Sequence, residues 1–169
     1  MKVIMYMAIT VNGFIAKQDD DTSWISREEW NSYSAAARKA GCLIIGRRTY
    51  HILTKQPEFS ELKDVKLVVV SKEKVPELIS PNHNVAFSPK EALNLLNDFK
   101  VVVVAGGGAL NKSFAEQNLI DELDLDIEPF AFGNGIRLFS EGKFEKKLEL
   151  LGVKNITKNE LQLHYKVVK

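Results

Sequence analysis

The stretch that decides the fold is "VVVVAGGGALN", residues 101–111. Four valines and an alanine run without a polar break into three glycines, and a helix-like segment follows. A continuous β-branched run marks a strand covered on both faces, as in parallel pairing, because a half-exposed strand alternates. Three adjacent glycines sacrifice backbone order, and a strand-to-helix turn needs only one or two. They can be a tight turn, or they can let a ligand come close to the backbone at the mouth of a buried strand.

Outward from this stretch, "VIMYMAI" (3–9), "CLIIG" (42–46) and "KLVVVS" (66–71) repeat the continuous apolar pattern and are read as parallel strands. Helical patterns lie between them. Residues 27–40 align Trp30, Tyr33, Ala37 and Ala40, and residues 89–98 align Ala92, Leu95, Leu96 and Phe99. The second follows "SPKE", with Ser88 as N-cap, Pro89 at N1 and Glu91 closing a capping box. A shorter helix is expected over 109–117. In the last third "LDLDIEP" (123–129) alternates, and "KKLELLGV", the turn "TKNE" and "LQLHYKV" (161–167) read as a closing hairpin. In that hairpin Leu161, Leu163, Tyr165 and Val167 share a face. The expectation is an α/β domain over 1–169, with a mostly parallel central sheet, helices on both faces and an antiparallel C-terminal hairpin.

Composition narrows the partners. With 23 Lys and Arg against 22 Asp and Glu, there is no electrostatic case for nucleic acid or an anionic membrane. Cys42 is the one cysteine, and with His51, His83 and His164 scattered no metal site is expected. "MKVIMYMAIT" lacks a small-residue cleavage site and reads as a first strand, so the cytoplasm is expected. The expected partner is a small-molecule substrate, in a monomer or homodimer.

In open α/β sheets, ligands settle beyond the carboxyl ends of the strands. Gly106, Gly107 and Gly108 occupy one such end, and the following helix start could hold a diphosphate. The pattern is neither the G-x-G-x-x-G fingerprint, since Asn111 stands at its last glycine, nor a P-loop. "IIGRRTYHIL" (44–53) places Arg47 and Arg48 after a second strand, with Thr49 as a possible helix cap; arginine forks suit phosphate, though a solvated basic corner looks the same. "VVVSKEKV" (68–75) ends a third strand in Ser71 and Lys72. In "DTSWISREEWNSY" (21–33), Ser26 and Glu29 form a capping box, or else Glu29 faces a cleft walled by Trp24, Trp30 and Tyr33 and binds a flat nitrogen heterocycle.

Taken together, "AITVNGFIA" (8–16), "IIGRRTY", "VVVSK", "VVVVAGGGAL" and "IDELDLDIEP" resemble the dihydrofolate reductase superfamily, which includes the pyrimidine reductases of riboflavin synthesis. The resemblance spans the chain and implies a single-domain dihydrofolate reductase-like fold with NADPH as cofactor. It places Ala8, Asn12, Ile15 and Ala16, then Gly46 to Thr49, Ser71 and Lys72, then Gly106 to Gly108 with Ala109 and Leu110, against that cofactor. Residues 12–23 would form the loop that closes over the nicotinamide. It also places Tyr6, Met7, Trp24, Glu29 and Tyr33 at the substrate, with Glu29 and Asp126 as catalytic acids.

Within the superfamily, Glu29 five residues after Trp24 and Tyr33 nine after it match the dihydrofolate reductases. The reading they favour is NADPH-dependent reduction of 7,8-dihydrofolate to tetrahydrofolate. Three departures point elsewhere. The arginine for the folate tail is missing, with only Lys63 and Lys66 near "DVKLVVV". Asp126 stands where a threonine supports the acid, and a second acid raises the pair's pKa. "SWIS" and "EPFAFGNGIRLF" read more like the riboflavin-type reductases. The alternative is therefore a reductase of a ribosylated aminopyrimidine phosphate or another small heterocycle, with Arg38 or Lys17 as the phosphate clamp. A third reading is a silent NADPH-binding protein on the same fold.

Overall fold

The computed structural model describes residues 1–73 and 78–169. Its strands are β1 (Lys2–Thr10), β2 (Phe14–Ala16), β3 (Cys42–Gly46), β4 (Lys66–Val70), β5 (His83–Ala86), β6 (Val101–Val104), β7 (Glu122–Glu128), β8 (Ile136–Arg137), β9 (Lys147–Asn155) and β10 (Leu161–Val168). The helices are α1 (Arg27–Ala40), α2 (Arg47–Leu53), α3 (Pro89–Asn94) and α4 (Gly108–Glu116), with a 3-10 helix at Pro57–Leu62. Eight strands form one sheet in the order β5-β4-β3-β6-β1-β7-β10-β9, and β2 pairs with β8. Pairing is parallel from β5 across to β7, and the hairpin of β10 and β9 closes the far edge antiparallel. This is the dihydrofolate reductase-like α/β arrangement.

The valine runs are explained by two cores, one on each face. Leu43, Ile45, Leu67, Val69 and Val103 meet Tyr33 and Ala37 of α1, Tyr50 of α2, and Phe59 and Leu62 of the 3-10 helix. Ile44, Val68, Val102 and Val104 face the opposite way, onto Ala92 and Leu96 around α3 and Leu110 and Phe114 of α4. Neither face of β6 is left for a polar side chain, and each buried Val or Leu contributes roughly 1.5–3 kcal/mol.

Helix α1 spans the expected residues and stops at Gly41, whose φ of +76° is left-handed. A Cβ there would stand 3.1 Å from the Phe99 ring. Helix α3 is shorter than the expected 89–98. Beyond it, the Leu96 and Phe99 N–H groups bond three residues back, to Leu93 and Leu96. Asn97 and Asp98 lie in those tighter turns, which suit weak helix formers. Helix α2 begins at Arg47 with Gly46 as N-cap, so Thr49 lies inside the first turn and caps nothing.

Strands β2, β5 and β8 have no counterpart in the sequence reading, because two to four residues carry too little periodicity. In the hairpin, Leu163, Tyr165 and Val167 pack on one core as expected, while Leu161 at the start of β10 is exposed; the register shift opposite His164 and Tyr165 leaves the extra residue in β9. Residues 74 and 75 of "VVVSKEKV" lie outside the described residues. Among the described residues, no helix is long and apolar enough to cross a membrane.

Candidate active site

Strands β1, β3, β4 and β6 end at one edge of the sheet, and a cavity of about 1010 Å³ opens there. One end of it is glycine and cation. The Gly46 N–H donates to the Gly106 carbonyl at 2.7 Å, and a Cβ on Gly46 would lie 3.6 Å from the Gly107 nitrogen. The ends of β3 and β6 therefore pack backbone to backbone.

The three consecutive glycines serve different ends. Gly106 has φ +79°, and a Cβ there would sit 2.9 Å from Met7 Cε. A Cβ on Gly108 would sit 2.6 Å from the Arg137 carbonyl oxygen. Both serve the chain's own packing. At Gly107 the nearest atoms would be Thr49 Oγ1 at 3.6 Å and Ile15 Cδ1 at 3.9 Å, both on cavity-lining residues. Of the three, Gly107 is the one whose Cβ side stays open, a crease beside cavity-lining residues. It also caps α4 without a side-chain bond, leaving first-turn N–H groups for a bound anion.

Arg47, Arg48, Thr49, Ser71 and Lys72 line the same end. Both arginines already carry acidic partners: Arg47 pairs with Glu73, and Arg48 reaches Asp20 at 2.5 Å. Asp20 was not foreseen. It sits at φ +68° in the loop after β2, a conformation that no sequence signal announces.

The other end is built by α1. Ser26 Oγ accepts the Glu29 N–H at 2.9 Å, which is half of the expected capping box. The reciprocal half is absent, because the Ser26 N–H donates to Glu128 Oε1 at 2.8 Å. Ser26 Oγ also donates to Glu160 Oε2 at 3.1 Å. Released from capping, the Glu29 carboxyl turns inward and is only 5% exposed. Burial, then the charges of Asp126, Glu128 and Glu160, hold its pKa well above the ordinary carboxylate range. Trp30 and Tyr33 wall this end, and the Tyr33 hydroxyl is buried with no hydrogen-bond partner among the described residues. Burial and Glu29 both raise its pKa.

Seventeen of the expected site residues line this cavity, and four do not. Asp126 lies behind Tyr6, accepting its hydroxyl at 2.5 Å and the Gln162 amide at 2.8 Å. Burial pushes Asp126 up to about 6 against those two bonds. It supports Tyr6 and does not face the cavity, because β7 carries it one strand beyond β1. Trp24 is withdrawn from the site by stacking edge-on to Phe132, with centroids 5.2 Å apart, and by donating to the Asp21 carbonyl at 3.2 Å. Asn12 is tied to the Phe132 carbonyl at 2.7 Å. Gly106 lies beneath Met7. Arg38 and Lys17 also stand off the cavity, paired with Glu61 and Asp21. Glu128 and Glu160, which shape Glu29, were missed because nothing local distinguishes them from other strand and turn acids.

Comparison with known proteins places this geometry. The model of the RibD C-terminal domain matches residues 1–161. The uncharacterized protein YwjB of Bacillus subtilis is 31% identical over 97% of both chains. A putative riboflavin biosynthesis protein from a Shewanella species superposes over the full length of both chains, with a TM-score of 0.82 at 19% identity. A pyrimidine reductase-like protein of Corynebacterium diphtheriae gives 0.76 at 14% identity, covering 99% of this chain and 92% of that one. The Thermotoga maritima diaminohydroxyphosphoribosylaminopyrimidine deaminase/5-amino-6-(5-phosphoribosylamino)uracil reductase gives 0.73 at 16% identity, with 99% of this chain matching 56% of that one. The family match overturns the dihydrofolate reading and the place in tetrahydrofolate synthesis that went with it. The Trp24 spacing behind that reading also fails structurally, since Trp24 does not line the site.

Proposed function

The chain belongs to the RibD C-terminal domain family, and from that premise we propose that it is an NADPH-dependent reductase of an aminopyrimidine or a similar small nitrogen heterocycle. The observation that carries the proposal is one cavity with two unlike ends. A glycine crease with cations at one end leads to a buried carboxyl between aromatic walls at the other.

The residues present fit the cofactor. The crease at Gly107 is space that a Cβ would fill, and the α4 start beside it favours negative charge. Arg47, Arg48, Ser71 and Lys72 would hold phosphates, with the arginines exchanging Glu73 and Asp20 for the ligand. When bound, NADPH supplies a hydride. Burial and the neighbouring acids favour the protonated form of Glu29, which can donate to one ring nitrogen while accepting from an exocyclic N–H. Trp30 and Tyr33 exclude water from the heterocycle's faces. This reading takes residues 1–169 as one cytoplasmic domain.

Arg47→Ala and Arg48→Ala test the cofactor assignment. Each is expected to weaken NADPH binding by about tenfold or more, as for the loss of a hydrogen bond to a charged group, and to weaken NADH binding much less. Equal weakening of both cofactors counts against the assignment. Turnover is read as NADPH oxidation in the presence of aminopyrimidine ribosides.

A further inference from the structure

Four cations line the cavity among its described residues, and they are unevenly placed. Arg47, Arg48 and Lys72 follow β3 and β4, at the glycine end. Arg27 alone belongs to the α1 end, and it is already engaged. Its guanidinium lies 2.6 Å from Glu61 Oε1 and 3.3 Å from Glu58 Oε1. Glu61 is held in turn by the Trp30 indole N–H at 3.2 Å and by Arg38 at 3.6 Å. An incoming phosphate would have to displace this cluster, and it would meet Glu58 lining the same wall. Glu29 lines the cavity nearby, and Glu128, Glu160 and Asp126 are buried close to it. A dianion entering here would have to take Arg27 from Glu58 and Glu61, with no other cation among the described lining residues of this end.

What this end does offer is neutral recognition. Tyr33 is 7% exposed and its hydroxyl has no partner among the described residues, and the buried Glu29 lines the same end of the cavity. A buried polar group without a partner is costly, and a ligand that satisfies the Tyr33 hydroxyl gains from that cost. We infer that the α1 end of the cavity takes a phosphate-free nitrogen heterocycle, as free base or nucleoside, whose donor–acceptor edge is read by Glu29 and the Tyr33 hydroxyl. This rests on the reductase reading above and narrows its substrate class: the chain selects against the phosphorylated form.

The test is calorimetric titration of the full chain, alone and saturated with NADPH, using a matched pair of ligands. One is the phosphoribosylaminouracil named for the Thermotoga relative, and the other is its dephosphorylated nucleoside. The expected result is a nucleoside bound at least about tenfold tighter than the phosphate. Tyr33→Phe should weaken the nucleoside by roughly threefold to tenfold, the loss of one hydrogen bond. Glu58→Gln combined with Glu61→Gln frees Arg27 and should narrow the gap by strengthening the phosphate. Phosphate binding equal to or tighter than nucleoside binding overturns the inference. So does failure of both ligands on a protein that binds NADPH. Preference for the nucleoside without any NADPH binding sustains the inference and removes the reductase reading, so the two can fail separately.

Discussion

Alanine at each of the three consecutive glycines separates backbone necessity from ligand space. At Gly108 the new methyl would stand 2.6 Å from the Arg137 carbonyl oxygen and 3.3 Å from the Ser140 nitrogen. Both are backbone atoms, and the Ser140 N–H donates to the Gly108 carbonyl at 3.1 Å, so the segment cannot simply swing aside. Overpacking of this kind costs about 1–3 kcal/mol. At Gly106 the methyl meets the flexible end of Met7, and the left-handed φ of +79° dominates at about 1–2 kcal/mol. At Gly107 the φ of −78° suits any residue and the nearest atom is 3.6 Å away. Its stability should change by less than about 1 kcal/mol. That methyl nevertheless fills the crease, so NADPH affinity should fall at least about tenfold. Urea unfolding midpoints and NADPH titration on the three variants read the two effects independently. A Gly107→Ala protein as unstable as Gly108→Ala, or one that keeps full NADPH affinity, would refute the reasoning.

Three further outcomes follow from contacts around the cavity. Glu29 binds its proton more tightly folded than unfolded, so its contribution is present at low pH and is lost as pH rises above its ordinary value of 4.5 toward the raised folded value. Relative to the parent, Glu29→Gln should therefore gain stability at pH 8 and not at pH 4, as read by urea midpoints; an equal difference at both pH values rejects the raised pKa. Ser26→Ala removes the α1 cap and the bond to Glu160, and should cost about 1 kcal/mol or slightly more by thermal unfolding; an unchanged melting temperature counts against that cap. Asp20→Asn frees Arg48, so NADPH should bind more tightly at low salt and the gain should shrink in high salt; a salt-independent change would locate Asp20's effect elsewhere.

Much of the fold was readable because its signals are local and strong. The β-branched valine runs read as strands buried on both faces, and the β3, β4 and β6 runs are so buried. Ser26 and Gly41 bracket α1 where polarity and glycine announce a start and a stop. The misses are elements whose existence depends on a neighbour. Strand β5, "HNVA", forms because Leu67–Val70 present an open ladder beside it. Helix α3 ends early because its last turn tightens onto i−3 bonds.

The site divides in the same way. The residue types at the strand ends, glycines after β6 and arginines after β3, are legible in sequence because the parallel topology gathers those ends. The role of each residue is not. Glu29 reads equally as a helix cap or as a cavity acid until Glu128 is seen to occupy the Ser26 N–H from 102 positions away. Trp24 reads as a cleft wall until Phe130 and Phe132 claim its ring. Periodicity and capping preferences act within a few residues, so the sequence by itself determined the layers and the order of the strands' chemistry. Competition between distant groups for one buried donor or one aromatic face is settled only when the chain closes, and that competition decided which acids and aromatics reach the cavity.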